Sequence, residues 1–327
     1  MPFDANISYA KITNSIFENN NAISSFFKSG DFFLVDRGFR DSIQTLKKLA
    51  IDVRMSEFIE KGNKQLLCEQ ANNSRLVTKC RFVIEVINGR LKSCFRYFDK
   101  VWSNKSLPHM IDDFRIAASI HNAFYKLIYS DIDDASKIAE MMSNSENKEN
   151  KLFAVVTANN LNRQSSIFHH LNEIQFEEFP RLSLDELRLI ALGSYQLKQA
   201  KSYIAEHNNK SSRFEIFVNK DDSSIPFESI DIIVSDPCLV RVKIQSRHRN
   251  QVKYFINILI DKSLNGKQAI KEYCCQCKNG LRTIGCCAHV MSILWYLGFS
   301  RFKSNFDFSA SFLDDVTGNL ESDDEIE

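Results

Sequence analysis

Between Tyr273 and Phe299 the chain reads Y-C-C-Q-C-K-N-G-L-R-T-I-G-C-C-A-H-V-M-S-I-L-W-Y-L-G-F, and no other stretch restricts the fold so strongly. Five of the nine cysteines lie between Cys274 and Cys287. Within them is the pattern C-x-C, nine residues, C-x-H, made by Cys275, Cys277, Cys287 and His289. Three thiolates and one imidazole are the donor set of a closed tetrahedral zinc site. In extended chain, residues i and i+2 point the same way, so Cys275 and Cys277 can hold one ion together. Asn279-Gly280 and Gly285 permit a return turn, and the apolar run Val290 to Leu297 predicts a short buried helix stopped at Gly298. A strand, a turn and a helix clamped on one zinc ion follow from this spacing. Cys274 and Cys286 adjoin the ligand positions and remain alternatives by sequence alone.

Clustered cysteines also occur as plain core or as disulfides. Residues Met1 to Ser15 are mixed and polar and lack the apolar core of a secretory leader. No stretch approaches the ~18 apolar residues of a membrane span. The expectation is an intracellular protein, nuclear or cytoplasmic, neither secreted nor bound to a membrane. In a reducing compartment such clusters signal metal more often than disulfide. C-x-C-x9-C-x-H resembles the SWIM-type zinc finger, a small ββα module found in transposases, ubiquitin ligases and chromatin-linked proteins. That resemblance implies a structural Zn2+ and partners among DNA or chromatin proteins.

The chain has 327 residues, enough for two domains, and 42 basic against 41 acidic side chains, so only local charge can speak of a partner. Gly and Pro are scarce at 10 and 5, which fits a folded, helix-rich chain. Phe32 to Val35 is a short apolar run between Gly30 and Gly38 and reads as a buried strand, with Asp36 at its C-terminal end. Ile51 to Met55 reads as a second strand. A long helix is expected over about 69–98, with Leu76, Cys80, Val83, Ile87, Leu91, Cys94 and Phe98 as its apolar stripe. Another face carries Arg81, Glu85, Lys92 and Arg96. A helix over 111–129 follows, with Phe114, Ala117, Ile120, His121 and Phe124 expected inward. Residues 130–150 are polar and read as a linker; a helix over 184–207 opens on a capping-box pattern at Ser183.

Strands are expected over 214–218, 239–244 and 252–260. The hairpin tip between the last two is basic: Arg241, Lys243, Arg247, Arg249 and Lys253. Arg81, Lys92, Arg96, Arg247 and Arg249 are the candidate phosphate contacts. Cys68, Cys80, Cys94 and Cys238 read as buried thiols. Residues 304–327 contain no Lys or Arg and end in E-S-D-D-E-I-E, an expected disordered acidic tail.

Taken by spacing, Asp36 and Glu85 are a strand-end and a helical carboxylate, equally suited to capping and to pairing with arginine. The segments V-D-R-G-F-R-D, S-R-L-V-T-K-C-R-F-V-I-E-V-I-N-G-R-L-K and D-D-F-R-I-A-A-S-I-H-N-A-F are similar to the C-terminal half of a Harbinger-type DDE endonuclease domain. The resemblance implies a ribonuclease-H-like fold, with Asp36 and Glu85 in the places of the second and third catalytic carboxylates. In that family they hold divalent cations such as Mg2+. The first catalytic Asp precedes the second by several dozen residues in the family. Asp36 has 35 residues before it, and neither Asp4 nor Asp31 follows an apolar strand. The expectation is a degenerate nuclease that does not cut DNA; the alternatives are a fragment of an active endonuclease and a protein-interaction adaptor. The expected architecture is α+β. It comprises a truncated ribonuclease-H-like α/β domain over 1–130, a helical linker region over 131–210, and a strand-rich domain over 211–303. The last contains the ββα zinc module, at about 254–299.

Overall fold

The computed structural model describes residues 6–19, 25–28, 30–99, 107–125, 135–163, 166–171, 176–207, 214–220, 225–227, 232–246 and 251–303. The chain forms two compact units. Among the described residues, one comprises those up to 56 and those from 74 to 125; the other comprises those from 57 to 73 and from 135 to 303. Arg247, Arg249 and the acidic tail lie outside the described residues.

In the first unit, helix α1 (Tyr9–Asn19) precedes strand β1 (Phe32–Val35). Asp36 ends β1 and caps a 3-10 turn (Arg37–Ser42) by accepting from the Arg37 N–H at 2.8 Å. Helix α2 (Ile43–Lys48) then crosses to β2 (Asp52–Met55), which pairs in parallel with β1. Parallel neighbours need such a crossover, because a tight turn reverses the chain. Val35, Leu46, Ile51, Val77, Leu91 and Ala117 are buried, and Phe17, Phe27 and Phe33 pack ring against ring at 4.9–5.9 Å.

The long helix α3 (Cys68–Cys94) and helix α4 (Leu107–Phe124) both form; α3 ends four residues before the expected 98, and α4 is displaced toward the N-terminus, starting at Leu107 with Pro108 in its first turn rather than at 111. Their apolar stripes are not buried as expected. Phe124 is 82% exposed, and Ile111, Phe114 and Ile120 are exposed too. Cys80 and Cys94 are likewise at the surface. A helix stripe needs an apolar layer to lie on, and among the described residues this unit offers a sheet of two strands.

The second unit is built on a five-stranded antiparallel sheet. Its strands run in spatial order β3 (Phe168–Leu171), β4 (Glu215–Asn219), β5 (Pro237–Gln245), β6 (Lys253–Asp261) and β7 (Ile270–Cys275). Both faces are covered, so the central strands are apolar on both sides. Ile216, Val240, Val242, Ile256 and Ile258 join Leu187, Tyr203, Ile293, Leu294 and Trp295 in the larger core. These last come from helices α7 (Leu184–Ala191) and α8 (Tyr195–His207) and from the C-terminal helix Ala288–Gly298. On the opposite face Leu239, Leu259 and Cys274 meet Leu152, Val155 and Val156 of helix α6 (Lys151–Ala158). The polar stretch after residue 130 contains helix α5 (Ala135–Ser143), whose Ile138 and Met142 are buried.

Period-two alternation also decides the fate of Arg241. It sits on the face of Leu239 and is 4% exposed. Its guanidinium lies 3.9, 4.9 and 5.3 Å from the ring centres of Phe168, Phe217 and Phe255 and donates to the Leu161 carbonyl at 2.7 Å. Lys243 and Lys253 both pair with Glu215, at 3.1 and 3.5 Å. The described part of the basic hairpin is therefore a buried cation and two neutralised ones, not the open basic surface its composition predicts.

Candidate metal centre

Cys275 is the last residue of β7, and the register Ile256↔Cys275 and Asn257↔Cys274 sets which way each sulfur points. Cys275 faces the larger core, and Cys274 faces the opposite one. Burial pushes the Cys274 thiol up to about 12, away from the thiolate form a metal needs. After β7 the chain turns back on itself: the Cys275 N–H donates to the Gly280 carbonyl at 3.1 Å, and the Gly280 N–H to the Cys277 carbonyl at 2.9 Å. A Cβ on Gly280 would overlap the Cys275 carbonyl, so this turn requires glycine.

Cys287 is the N-cap of helix α9 (Ala288–Gly298), and its sulfur accepts from the Val290 N–H at 3.4 Å. A thiolate there also sits at the positive end of the helix dipole. His289 is in the first turn, its ring 5.2 Å from Tyr254 and 6.2 Å from Tyr203. The Cys277 N–H points at the Cys275 sulfur at 3.4 Å. The donor atoms of Cys275, Cys277, Cys287 and His289 all lie within 4.8 Å of one another. Zn–S bonds of about 2.3 Å in a tetrahedron place sulfurs about 3.8 Å apart, which falls inside that limit. Cys286 is buried but is not among the four.

Electrostatics fits a cation. Burial opposes ionisation of Cys287, but hydrogen bonds from Cys275, Cys277 and His289 outweigh it and hold this thiol well below its ordinary value. Cys275 is driven well up by burial and by its two sulfur neighbours. Cys277 also ends well above the ordinary value: the hydrogen bond with Cys275 favours its thiolate, and the shared proton with Cys287 and burial oppose it more. Three buried thiolates side by side repel one another and form together only around a positive ion.

In the first unit, Asp36 and Glu85 are brought together by a side chain. Arg81 donates one guanidinium nitrogen to Asp36 Oδ1 at 2.7 Å and the other to Glu85 Oε1 at 2.7 Å. Both carboxylates are mostly exposed, and Arg81 is half-buried. A guanidinium does not lose its proton, so the pair already holds a fixed cation. Lys92 and Arg96 are exposed.

Residues 12–122 match the family model of a DDE superfamily endonuclease, which covers the segment containing Asp36, Arg81 and Glu85. No curated protein and no solved structure is matched by the chain. No helix among the described residues is long and apolar enough to cross a membrane.

The sequence singles out the four clustered residues but does not distinguish Cys275 from Cys274, which needs the strand register. It also missed the rings of Tyr203 and Tyr254 around His289, since nothing local marks them.

Proposed function

We propose that this chain is a zinc-binding protein of transposase descent, in which the metal is structural and the DDE-like unit does not cut DNA. The observation that carries the reading is the buried set of Cys275, Cys277, Cys287 and His289. Three sulfurs and an imidazole select zinc among common divalent ions, and a site with four protein donors has no open position for a reacting water. Zinc bound there would supply cross-linking of β7 to the C-terminal helix. The residues themselves do the rest: the Gly280 turn sets the first pair, and the N-cap geometry sets the second. The finer identities proposed are a SWIM-type finger for this module and a Harbinger-type origin for residues 12–122.

Inactivity is supported by Arg81, which occupies both Asp36 and Glu85 where a nuclease would need a divalent cation. Partners are proposed to be DNA or chromatin proteins, met in the nucleus. Exposed Lys92 and Arg96, together with Arg247 and Arg249, are the proposed phosphate contacts. The test is metal content of the purified chain, followed by binding to random duplex DNA across a salt series. Absence of zinc sinks the metal reading. Binding that is absent, or indifferent to salt, sinks the nucleic-acid reading and favours a protein-interaction adaptor.

A second reading, part of a metal-dependent endonuclease, is favoured by the convergence of Asp36 and Glu85 on one cation. Nicking of supercoiled DNA in Mg2+ or Mn2+ that disappears in Asp36→Asn and Glu85→Gln would establish it over the first.

A further inference from the structure

The loop between the two donor pairs is already engaged, and its occupant is this chain. Residues 57–73 belong to the same compact unit as the metal centre. Within them Leu66 is 1% exposed, and its N–H donates to the Lys278 carbonyl at 3.0 Å. Gln65 Nε2 donates to the carbonyl of Cys275 at 3.3 Å. Asn72, in the second turn of α3, is fully buried. Its Oδ1 accepts from two successive main-chain N–H groups, Thr283 at 2.9 Å and Ile284 at 3.1 Å. Its Nδ2 donates to the Thr283 hydroxyl at 2.8 Å and to the Glu146 carbonyl at 2.9 Å. The Thr283 Oγ1 also donates to the Ser145 carbonyl at 2.8 Å.

We propose that the Cys277–Cys287 loop is a clasp for the chain's own segment 65–72, closed by the metal. The loop runs over 278–286 without helix or strand, so its shape depends on what holds its two ends. Those ends are Cys277 and Cys287, two of the four donors. The Leu66 contact and both Oδ1 contacts of Asn72 fall on that loop, and the Gln65 contact falls on Cys275, itself one of the four donors. A bound ion fixes the spacing that lets one side-chain amide meet two adjacent N–H groups. With the ion gone, nothing ties the two ends together, and Asn72 loses a receptor that only one loop geometry provides. The first turns of α3, the helix that further on carries Arg81 and Glu85, would then fray.

The inference rests on the zinc reading above, and the experiment separates the two. Hydrogen exchange is followed by mass spectrometry on the full chain, as purified and after metal removal, with zinc content measured on the same samples. Lack of zinc in the purified chain defeats the zinc reading and the inference with it. With zinc present, removal is expected to speed exchange at least tenfold in peptides spanning 64–75 and 278–286, while strands 237–245 and 253–261 stay protected. Asn72→Ala, and Thr283→Val as a milder variant, are expected to free 64–75 while one zinc per chain is retained. Three results overturn the proposal though zinc is bound: segment 64–75 stays protected after metal removal, it loses protection only together with strands 237–245, or both variants leave its exchange at the wild-type rate.

Discussion

Replacing the cysteines one at a time gives the sharpest test of the metal centre, because each donor has an adjacent control. Cys275 faces the larger core and Cys274 the smaller, and Cys287 belongs to the donor set while Cys286 does not. Apparent free energies of structural zinc sites are about 10–16 kcal/mol for four ligands. An even share is about 2.5–4 kcal/mol per ligand, or roughly 10²–10³ in metal affinity at 1.4 kcal/mol per tenfold. Cys275→Ala and Cys287→Ala should each lose that much. Cys287→Ala also removes the cap on the Val290 N–H, worth a further ~1 kcal/mol. Cys274→Ala and Cys286→Ala remove one buried sulfur each, a packing loss of about 1 kcal/mol, and should keep wild-type affinity. The assay is zinc retained against a graded competing chelator, with thermal melts to confirm that each variant folds. Loss of metal in the Cys274 or Cys286 variant, with retention in the Cys275 or Cys287 variant, would refute the assignment drawn from the β6–β7 register.

Gly280→Ala should abolish tight metal binding without touching a donor, since the added methyl overlaps the Cys275 carbonyl; zinc stoichiometry decides it. Arg241→Ala should lower stability by about 3 kcal/mol, because it empties a space between three rings and removes the ring–cation contacts. A urea midpoint unchanged from wild type would contradict that. Glu272 provides a pH signature: burial pushes its carboxyl from 4.5 up to about 7, against the pull of Lys151 and Lys148. A raised folded-state value means the folded chain holds a proton that the unfolded chain has given up. The stabilisation is therefore complete below about pH 4.5 and is lost as pH rises through about 7. The ceiling is roughly 3 kcal/mol. Metal affinity runs the other way with pH, because thiols must ionise, so the readout is the difference in urea midpoint between wild type and Glu272→Gln from pH 5 to pH 8. A constant difference across that range would show that Glu272 contributes no slope.

Local chemistry was legible where it is written in consecutive residues. The C-x-C and C-x-H spacing pointed to the four residues that now lie within 4.8 Å. The Asn-Gly pair marked the return turn, Ser183 and Glu186 formed the capping box, and the apolar runs gave β1, β5 and β6. Asp36 and Glu85 were singled out as a pair, but what joins them was not: the Arg81 fork depends on where α3 passes the end of β1.

The sequence by itself determined the kinds of donor, their pairing along the chain and the period of each strand and helix, because these depend on neighbours a few residues apart. Tertiary structure alone decided the rest. The β6–β7 register put Cys275 rather than Cys274 beside the other three residues, the rings of Phe168, Phe217 and Phe255 and the Leu161 carbonyl turned Arg241 from a surface charge into a buried one, and the small parallel sheet left the stripe of α4 exposed. Asn72 reached Thr283 and Ile284 only through the fold. The physical reason is the same in each case. A side chain's face and spacing are set by backbone geometry, which is local, whereas what it meets there is set by chain brought in from far along the sequence.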